Sequence, residues 1–500
     1  MNFNSRNNLI KTNRGITLIA LIVIIIVLLI LAGITVATLT GDNGIITKTG
    51  DAVTQTNQAQ LEDEVDLAYL DYLKQLKETN DLEYYLKKIN NSNVQKLAVD
   101  TWYVSRGKSG VTISDDGGKT EGKTEIWDGS SIECPKFKDF NWYIYTPSQL
   151  KFLADYVNNG NSLTEDLTQK VTAAGYQASD VKMESTTTIY LMNNLDLGAR
   201  PSIGSTEEQK WETTENESRI WTPIGKTNAL KLIGTFEGNN NTIKGVYVNQ
   251  IDDYAALFGN SCTIQNLTIA NSYIKGGFIT GGIVGALRRG KIENCHNKNT
   301  TVILREGSYY GLGGISAQLG GTNESITINN CSNTGKVIAY GAYNYNNQLF
   351  QTCGGLFGKV AGNSSVSNCS NYGLVTGYNN GLVMGGIIGE ASNNTKITNC
   401  YNKAKVTGYA YTGGIVGNPV SNVEITNCYN RGKIVANGEY IGSIVGFKNS
   451  NNTLVYENLY YLSSIGIKAI DDNNYEEKNV KAIDNDFKSL SEFLNWLENR

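Results

Sequence analysis

The stretch Gly385-Gly386-Ile387-Ile388-Gly389-Glu390-Ala391-Ser392-Asn393-Asn394-Thr395-Lys396-Ile397-Thr398-Asn399-Cys400-Tyr401-Asn402-Lys403-Ala404-Lys405-Val406 is one unit of a repeat. Its double glycine recurs as Gly281-Gly282, Gly313-Gly314, Gly354-Gly355 and Gly413-Gly414, with a degenerate copy at Gly442-Ser443. Its Asn-Cys pair recurs as Asn294-Cys295, Asn330-Cys331, Asn368-Cys369 and Asn427-Cys428. The separation of glycine from cysteine is nearly constant, so a register is held while loops vary. An even offset separates the last four of these cysteines from Val337, Val375, Val406 and Ile434, which puts thiol and branched side chain on one face of a strand. One coil of about 30 residues has too little core of its own and must stack on its neighbours. The expected fold is therefore mainly β: a parallel, right-handed β-solenoid (β-helix).

Ile397 and Cys400 are three apart, so both face inward only if the chain bends between them. Asn399 at that corner tolerates the bend and can hydrogen-bond to its counterpart in the next coil. The double glycines belong where a positive φ or a close backbone approach is required. They do not read as a phosphate cradle, which would need a following helix.

Leucine fills the cysteine slot in the flanking copies Asn266-Leu267 and Asn458-Leu459, and interchange with leucine is how a core position behaves. Cys295, Cys331, Cys369, Cys400 and Cys428 are accordingly expected as a structural core ladder of buried thiols. A disulfide between neighbouring coils and a metal site are the alternatives. Against them stand one cysteine per coil, no C-x-x-C pair and a single histidine, His296. No metal or cofactor is expected. Cys134, Cys262 and Cys353 fall outside the register, and their redox state stays open.

Hydrophobic residues make up 40% of the 500, enough for real cores, and 53 Gly with 29 Tyr but 5 Pro favour tight turns between short strands. With 43 basic and 47 acidic side chains there is no electrostatic footprint for nucleic acid. Residues 16–39 are apolar, Gly or Thr, long enough as a helix to cross a bilayer, and Arg6, Lys11 and Arg14 precede them. The expectation is a single-pass membrane protein, anchored by this helix, with residues 1–15 a basic cytoplasmic leader and the bulk at the cell surface. Leu61, Val65, Ala68, Tyr72 and Leu76 make an amphipathic helical stalk of 40–90, followed by a β-rich adaptor, 91–138. Residues 139–253 form the solenoid's N-terminal cap and first coils, with Pro147 opening a helix, and residues 254–465 carry the repeats. Phe487, Leu490, Phe493, Leu494 and Leu497 give a helical C-terminal cap within 466–500.

The glycine and Asn-Cys units, with the helix and strands that lead into them, resemble the GLUG repeats of bacterial surface proteins. That resemblance implies that the helix closes one end of the solenoid. Arg14-Gly15-Ile16-Thr17-Leu18-Ile19 resembles the start of type IV prepilins, although Ala20 stands where pilins usually carry glutamate. This resemblance implies cleavage between Gly15 and Ile16 by a prepilin peptidase, and pilin-like subunits as partners.

Catalysis is not expected. Between Gly281 and Gly446 there is no aspartate, and Glu293, Glu306, Glu324, Glu390, Glu424 and Glu439 are scattered. The slot of Glu293 holds Asn329, Ser367, Thr398 and Thr426 in later coils. The rival reading is a β-helix enzyme cleaving polysaccharide with two converging carboxylates. The favoured reading is adhesion or binding of an extracellular ligand, a glycan or a protein of a host or cell surface. Tyr340, Tyr378 and Tyr409 occupy one slot after their cysteines and form a candidate ligand platform, unless they are an edge ladder that only stabilises the sheet. Tyr343 and Tyr345, in the long insertion 341–352, join that candidate site.

Overall fold

The computed structural model describes residues 103–107, 110–114 and 126–499, apart from 252–253, 262, 307–310, 322, 341–350, 379–381, 410, 448–453 and 471–478. The chain divides into two units, Met1–Lys123 and Thr124–Arg500. In the first, the described residues are one antiparallel hairpin, Tyr103–Gly107 with Gly110–Ser114. The Gly15–Ile16 junction, the apolar stretch 16–39 and the stalk 40–90 lie outside the described residues. Tyr343 and Tyr345 do too.

One expectation is corrected. Among the described residues no helix is long and apolar enough to cross a membrane. The single-pass assignment rested on the length of the apolar run at 16–39 and the charges that flank it, and no described helix takes up that role.

The second unit is a stack of coils. One coil runs through Leu382–Gly385, Ile388–Ser392, Lys396–Thr398, Tyr401–Asn402 and Val406–Gly408. Each strand pairs in parallel with its counterpart one coil on, as Met384 with Thr412, Ile388 with Val416, Ile397 with Ile425 and Val406 with Ile434. Among the described residues the result is four long sheets, of sixteen, seven, six and six strands. The inward columns are branched: Ile292, Ile328, Val366, Ile397 and Ile425 are fully buried and belong to one core that runs from Trp127 to Val480. Each such side chain contributes about 1.5–3 kcal/mol relative to exposure.

The corner between strands is made by asparagine in the left-handed region: φ is 51° at Asn294, 52° at Asn330, 55° at Asn368, 54° at Asn399 and 53° at Asn427. Asparagine adopts that conformation more readily than other side chains because its amide bonds locally. The amides also bond up the stack, Asn330 Nδ2 to Asn294 Oδ1 at 3.0 Å and Asn399 Nδ2 to Asn368 Oδ1 at 3.3 Å.

Helix α1, Pro147–Asn158, starts at Thr146, whose side chain accepts from the Gln149 backbone N–H, and it buries Leu150, Phe152, Leu153 and Val157 against the first coils. Helix α2 is Glu165–Ala173. Two short helices, α3 (Glu207–Trp211) and α4 (Thr214–Glu217), interrupt the strands that begin the solenoid. Helix α5, Leu490–Glu498, lies along the flank of the last coils, where Phe493 stacks on Tyr429 at 5.3 Å and Trp496 meets Tyr460 edge-on at 5.1 Å.

Candidate ligand-binding face

The seven-stranded sheet contains Thr301–Leu304, Val337–Ala339, Val375–Gly377, Val406–Gly408 and Ile434–Ala436. Val302, Val337, Val375, Val406 and Ile434 are in register and point to the core, so their neighbours along the strand point outward. One outward column is Lys336, Leu374, Lys405 and Lys433. Backbone bonds align it: Val337 N donates to Leu374 O (2.8 Å), Val375 N to Lys405 O (3.1 Å) and Val406 N to Lys433 O (3.0 Å). A second column holds Tyr340, Tyr378 and Tyr409, each directly after its strand. The Tyr340 and Tyr378 rings stack, with centroids 5.4 Å apart and planes 11° from parallel.

Helices α3 and α4 lie over the first part of this face and meet it with carboxylates. Glu207 takes Lys336 Nζ at 2.6 Å and Thr301 Oγ1 at 3.1 Å. Glu212 takes Lys275 Nζ at 2.6 Å and the Tyr273 hydroxyl at 2.9 Å. Glu217 accepts from the Tyr247 hydroxyl and from Asn249 Nδ2, and Glu208 adjoins the Tyr340 hydroxyl. Trp211 stacks on Tyr273 at 5.8 Å. Burial pushes the Glu207 and Glu212 carboxyls up, but hydrogen bonds and the charges of Lys336 and Lys275 outweigh it and hold both below the usual range. Burial and the adjoining carboxylates push the Tyr247, Tyr273 and Tyr340 hydroxyls far up, so they remain donors.

Among the described residues, coverage stops after Lys336 and Tyr340. Beyond them Leu374 is 38% exposed, Tyr378 65% and Tyr409 41%. Lys405 and Lys433 are exposed and meet no carboxylate among the described residues. The three tyrosines thus divide: Tyr340 is half-buried under α3, while Tyr378 and Tyr409 face solvent. At the next corner Tyr411 (φ 49°) and Tyr440 (φ 63°) hold left-handed backbone, rare for aromatic residues. Their rings, 4.9 Å apart, cluster with Phe447.

The five repeat cysteines lie in one inward column and are buried and unbridged, with Leu267 facing Cys295 and Leu459 facing Cys428 at its ends. Each thiol donates to the carbonyl two residues before it, as Cys369 Sγ to Ser367 O at 3.1 Å. Burial pushes the Cys295, Cys369 and Cys428 thiols well up. Cys353, outside this column, is buried and pushed up to about 12, and the half-buried Cys134 is pushed up to about 11. Cys262 lies outside the described residues. Of the scattered glutamates, Glu293 pairs with Lys291 (2.8 Å), Glu390 with Lys359 (2.7 Å) and Glu424 with Lys396 (3.0 Å). A depression of about 200 Å³ beside Lys359, lined by Gln318, Gly320 and Asn393, falls short of the roughly 300–1,000 Å³ of small-molecule sites.

Two features were not read from the sequence. The carboxylates of α3 and α4 sit in a segment without apolar periodicity. The lysine column carried a signal, since Lys336, Lys405 and Lys433 each directly precede the inward branched residue of their coil.

Stacked parallel sheets with a few helices, an arrangement compatible with a β-solenoid, define the class. Within it, residues 380–407 match the family model described as the GLUG motif. No curated protein matches the chain. A solved structure described as a "putative immunoglobulin A1 protease" from Bacteroides ovatus is similar to this chain at 18% identity. The match covers 66% of this chain and 86% of that one with a TM-score of 0.42, and a likeness of that extent carries no argument about chemistry.

Proposed function

We propose that the protein is a non-catalytic, ligand-binding β-solenoid whose seven-stranded sheet serves adhesion to an extracellular ligand. The observation that carries this reading is the abrupt end of coverage on that sheet. Helices α3 and α4 seal its first coils, and the same face then continues with Leu374, Tyr378 and Tyr409 exposed. A planar face bearing aromatic rings supplies large contact area at little conformational cost. The alternative, polysaccharide cleavage, needs two carboxylates converging to about 5–10 Å. Glu293, Glu390 and Glu424 instead each face a lysine.

The test is an array of glycans and extracellular-matrix proteins probed with the full chain and its Tyr378→Ser/Tyr409→Ser variant. The reading requires ligands whose binding falls at least tenfold in the variant while its melting temperature holds. Equal binding by both removes it. Release of reducing ends from polysaccharides by the wild-type chain would favour the enzyme.

A further inference from the structure

We infer that the uncovered part of the seven-stranded sheet takes an acidic polypeptide segment, and that α3 and α4 show how. This rests on the reading of that face as a binding surface and names its partner. On the covered coils the sheet offers lysine and tyrosine donors, and what occupies them is a glutamate-rich segment of this same chain. Lys336 Nζ meets Glu207 at 2.6 Å, Lys275 Nζ meets Glu212 at 2.6 Å, and the Tyr273 hydroxyl donates to Glu212 at 2.9 Å. Trp211 adds an aromatic plane parallel to Tyr273.

The uncovered coils carry the same kinds of donor, in the columns of Lys336 and Tyr340 and not in that of Lys275. Lys405 and Lys433 continue the column of Lys336, and Tyr378 and Tyr409 continue the column of Tyr340. Coils stack at about 4.8 Å, so the two lysines and two hydroxyls form a compact patch of donors beside the apolar Leu374 and the rings. No carboxylate among the described residues answers them. Glu439 stands in the turn one coil on that pairs with Tyr409 and Tyr411, where Gly438 N donates to Tyr409 O at 2.8 Å and Tyr411 N donates to Glu439 O at 3.2 Å, and its charge acts on the Tyr411 hydroxyl. Charge complementarity therefore selects carboxylates. The occupied half of the face selects them on a polypeptide carrying an aromatic residue, in the manner of Glu207-Glu208-x-x-Trp211-Glu212.

The experiment uses the full chain and three fluorescein-labelled probes. These are a peptide of residues 205–217, the same peptide with glutamine for every glutamate, and polygalacturonate. The acidic peptide is expected to bind, at least tenfold more tightly than the glutamine peptide, and to weaken steeply from 50 to 500 mM salt. Lys405→Gln/Lys433→Gln should weaken it at least tenfold without changing the melting temperature, since both lysines are exposed. Lys405→Glu/Lys433→Glu should instead select a peptide with lysine for glutamate. Lys336→Gln should leave peptide binding unchanged, because that lysine already holds Glu207. Peptide binding that depends on Lys336 but not on Lys405 and Lys433 would mean displacement of α3 and overturns the inference. So would polygalacturonate binding through these lysines in place of the peptide, or no peptide binding. Array ligands lost on Tyr378→Ser/Tyr409→Ser but kept on Lys405→Gln/Lys433→Gln leave the binding face standing and the acidic partner refuted.

Discussion

A Cβ on Gly386 would stand 2.5 Å from Cγ of Asn402 and 2.0 Å from the carbonyl oxygen of Gly414, one coil on. The second glycine of each repeat is therefore required by close approach, not by its own backbone conformation. What approaches is a buried asparagine ladder: Asn371 Nδ2 donates to Asn402 Oδ1 at 3.1 Å, and Asn402 Nδ2 to Asn430 Oδ1 at 2.8 Å. Each amide also closes a turn on its own strand, as Asn402 does with Ala404 N (3.2 Å) and Ala404 O (3.1 Å).

Gly386→Ala should cost about 3 kcal/mol or more, the upper end of overpacking, because backbone and a fully bonded amide must both yield. Gly321→Ala should cost under about 1 kcal/mol, since the atom nearest its added Cβ is the tip of the Glu324 side chain. Asn402→Ala removes four hydrogen bonds and strands Ala404 N and Ala404 O, at about 1–3 kcal/mol for each left unsatisfied, while Asn371 Nδ2 keeps Gly373 O and Asn430 Oδ1 keeps Gly432 N. Urea melts of the three variants check the order.

The repeat thiols should be kinetically silent. All five are buried away from solvent and reagent, and burial also disfavours the reactive thiolate at Cys295, Cys369 and Cys428. Among the described cysteines of the native protein at pH 8, iodoacetamide should reach Cys134 first, and slowly, because its thiol is itself pushed up to about 11. Cys353 and the five repeat cysteines should label only in denaturant. Rapid modification of native Cys400, read by peptide mass mapping, would remove the core assignment.

His296 makes the fold sensitive to acid. Its ring nitrogens meet Ser332 Oγ at 2.8 Å and Asn294 Oδ1 at 3.0 Å, and burial, then Lys298, pull it down to about 4 from its ordinary 6.5. A base depressed in the folded state binds its proton first in the unfolded state. Its contribution is whole above pH 6.5 and is lost as pH falls through 4, an effect of about 1–3 kcal/mol. Thermal melts at pH 7, 5 and 4 should show a smaller loss in His296→Gln than in the wild type.

The stack was legible because register is written in side chains that recur. Gly-Gly, Asn-Cys and the branched residue beyond them each mark one contact with the next coil, and the parallel pairing of Ile397 with Ile425 follows from their order. The inner asparagine was missed although it stands two residues after every repeat cysteine, because its role depends on a glycine from elsewhere in the coil. The division of the tyrosine row was not legible at all. Whether Tyr340 is covered depends on α3, which lies far earlier in the chain and carries no repeat signal.

That division yields the sharpest contrast between stability and binding. Tyr340 adjoins Glu208, stacks on Tyr378 and packs against the cluster of Trp211, Tyr273 and Ile338. Tyr340→Ser removes a stacked pair and part of the seal under α3, and should cost about 1–3 kcal/mol. Tyr378 is 65% exposed and Tyr409 41%, so their double replacement by serine should cost less than about 1 kcal/mol. Binding should behave in the opposite way. The exposed pair carries the ligand contact, so Tyr378→Ser/Tyr409→Ser should lose binding at an unchanged melting temperature, whereas Tyr340→Ser should lose melting temperature and retain binding below it. Calorimetry with a binding assay at 25 °C on the same preparations reads both. A Tyr340→Ser variant that stays stable but no longer binds would move the contact surface under α3, and an equal loss of stability in all variants would make the row a ladder alone.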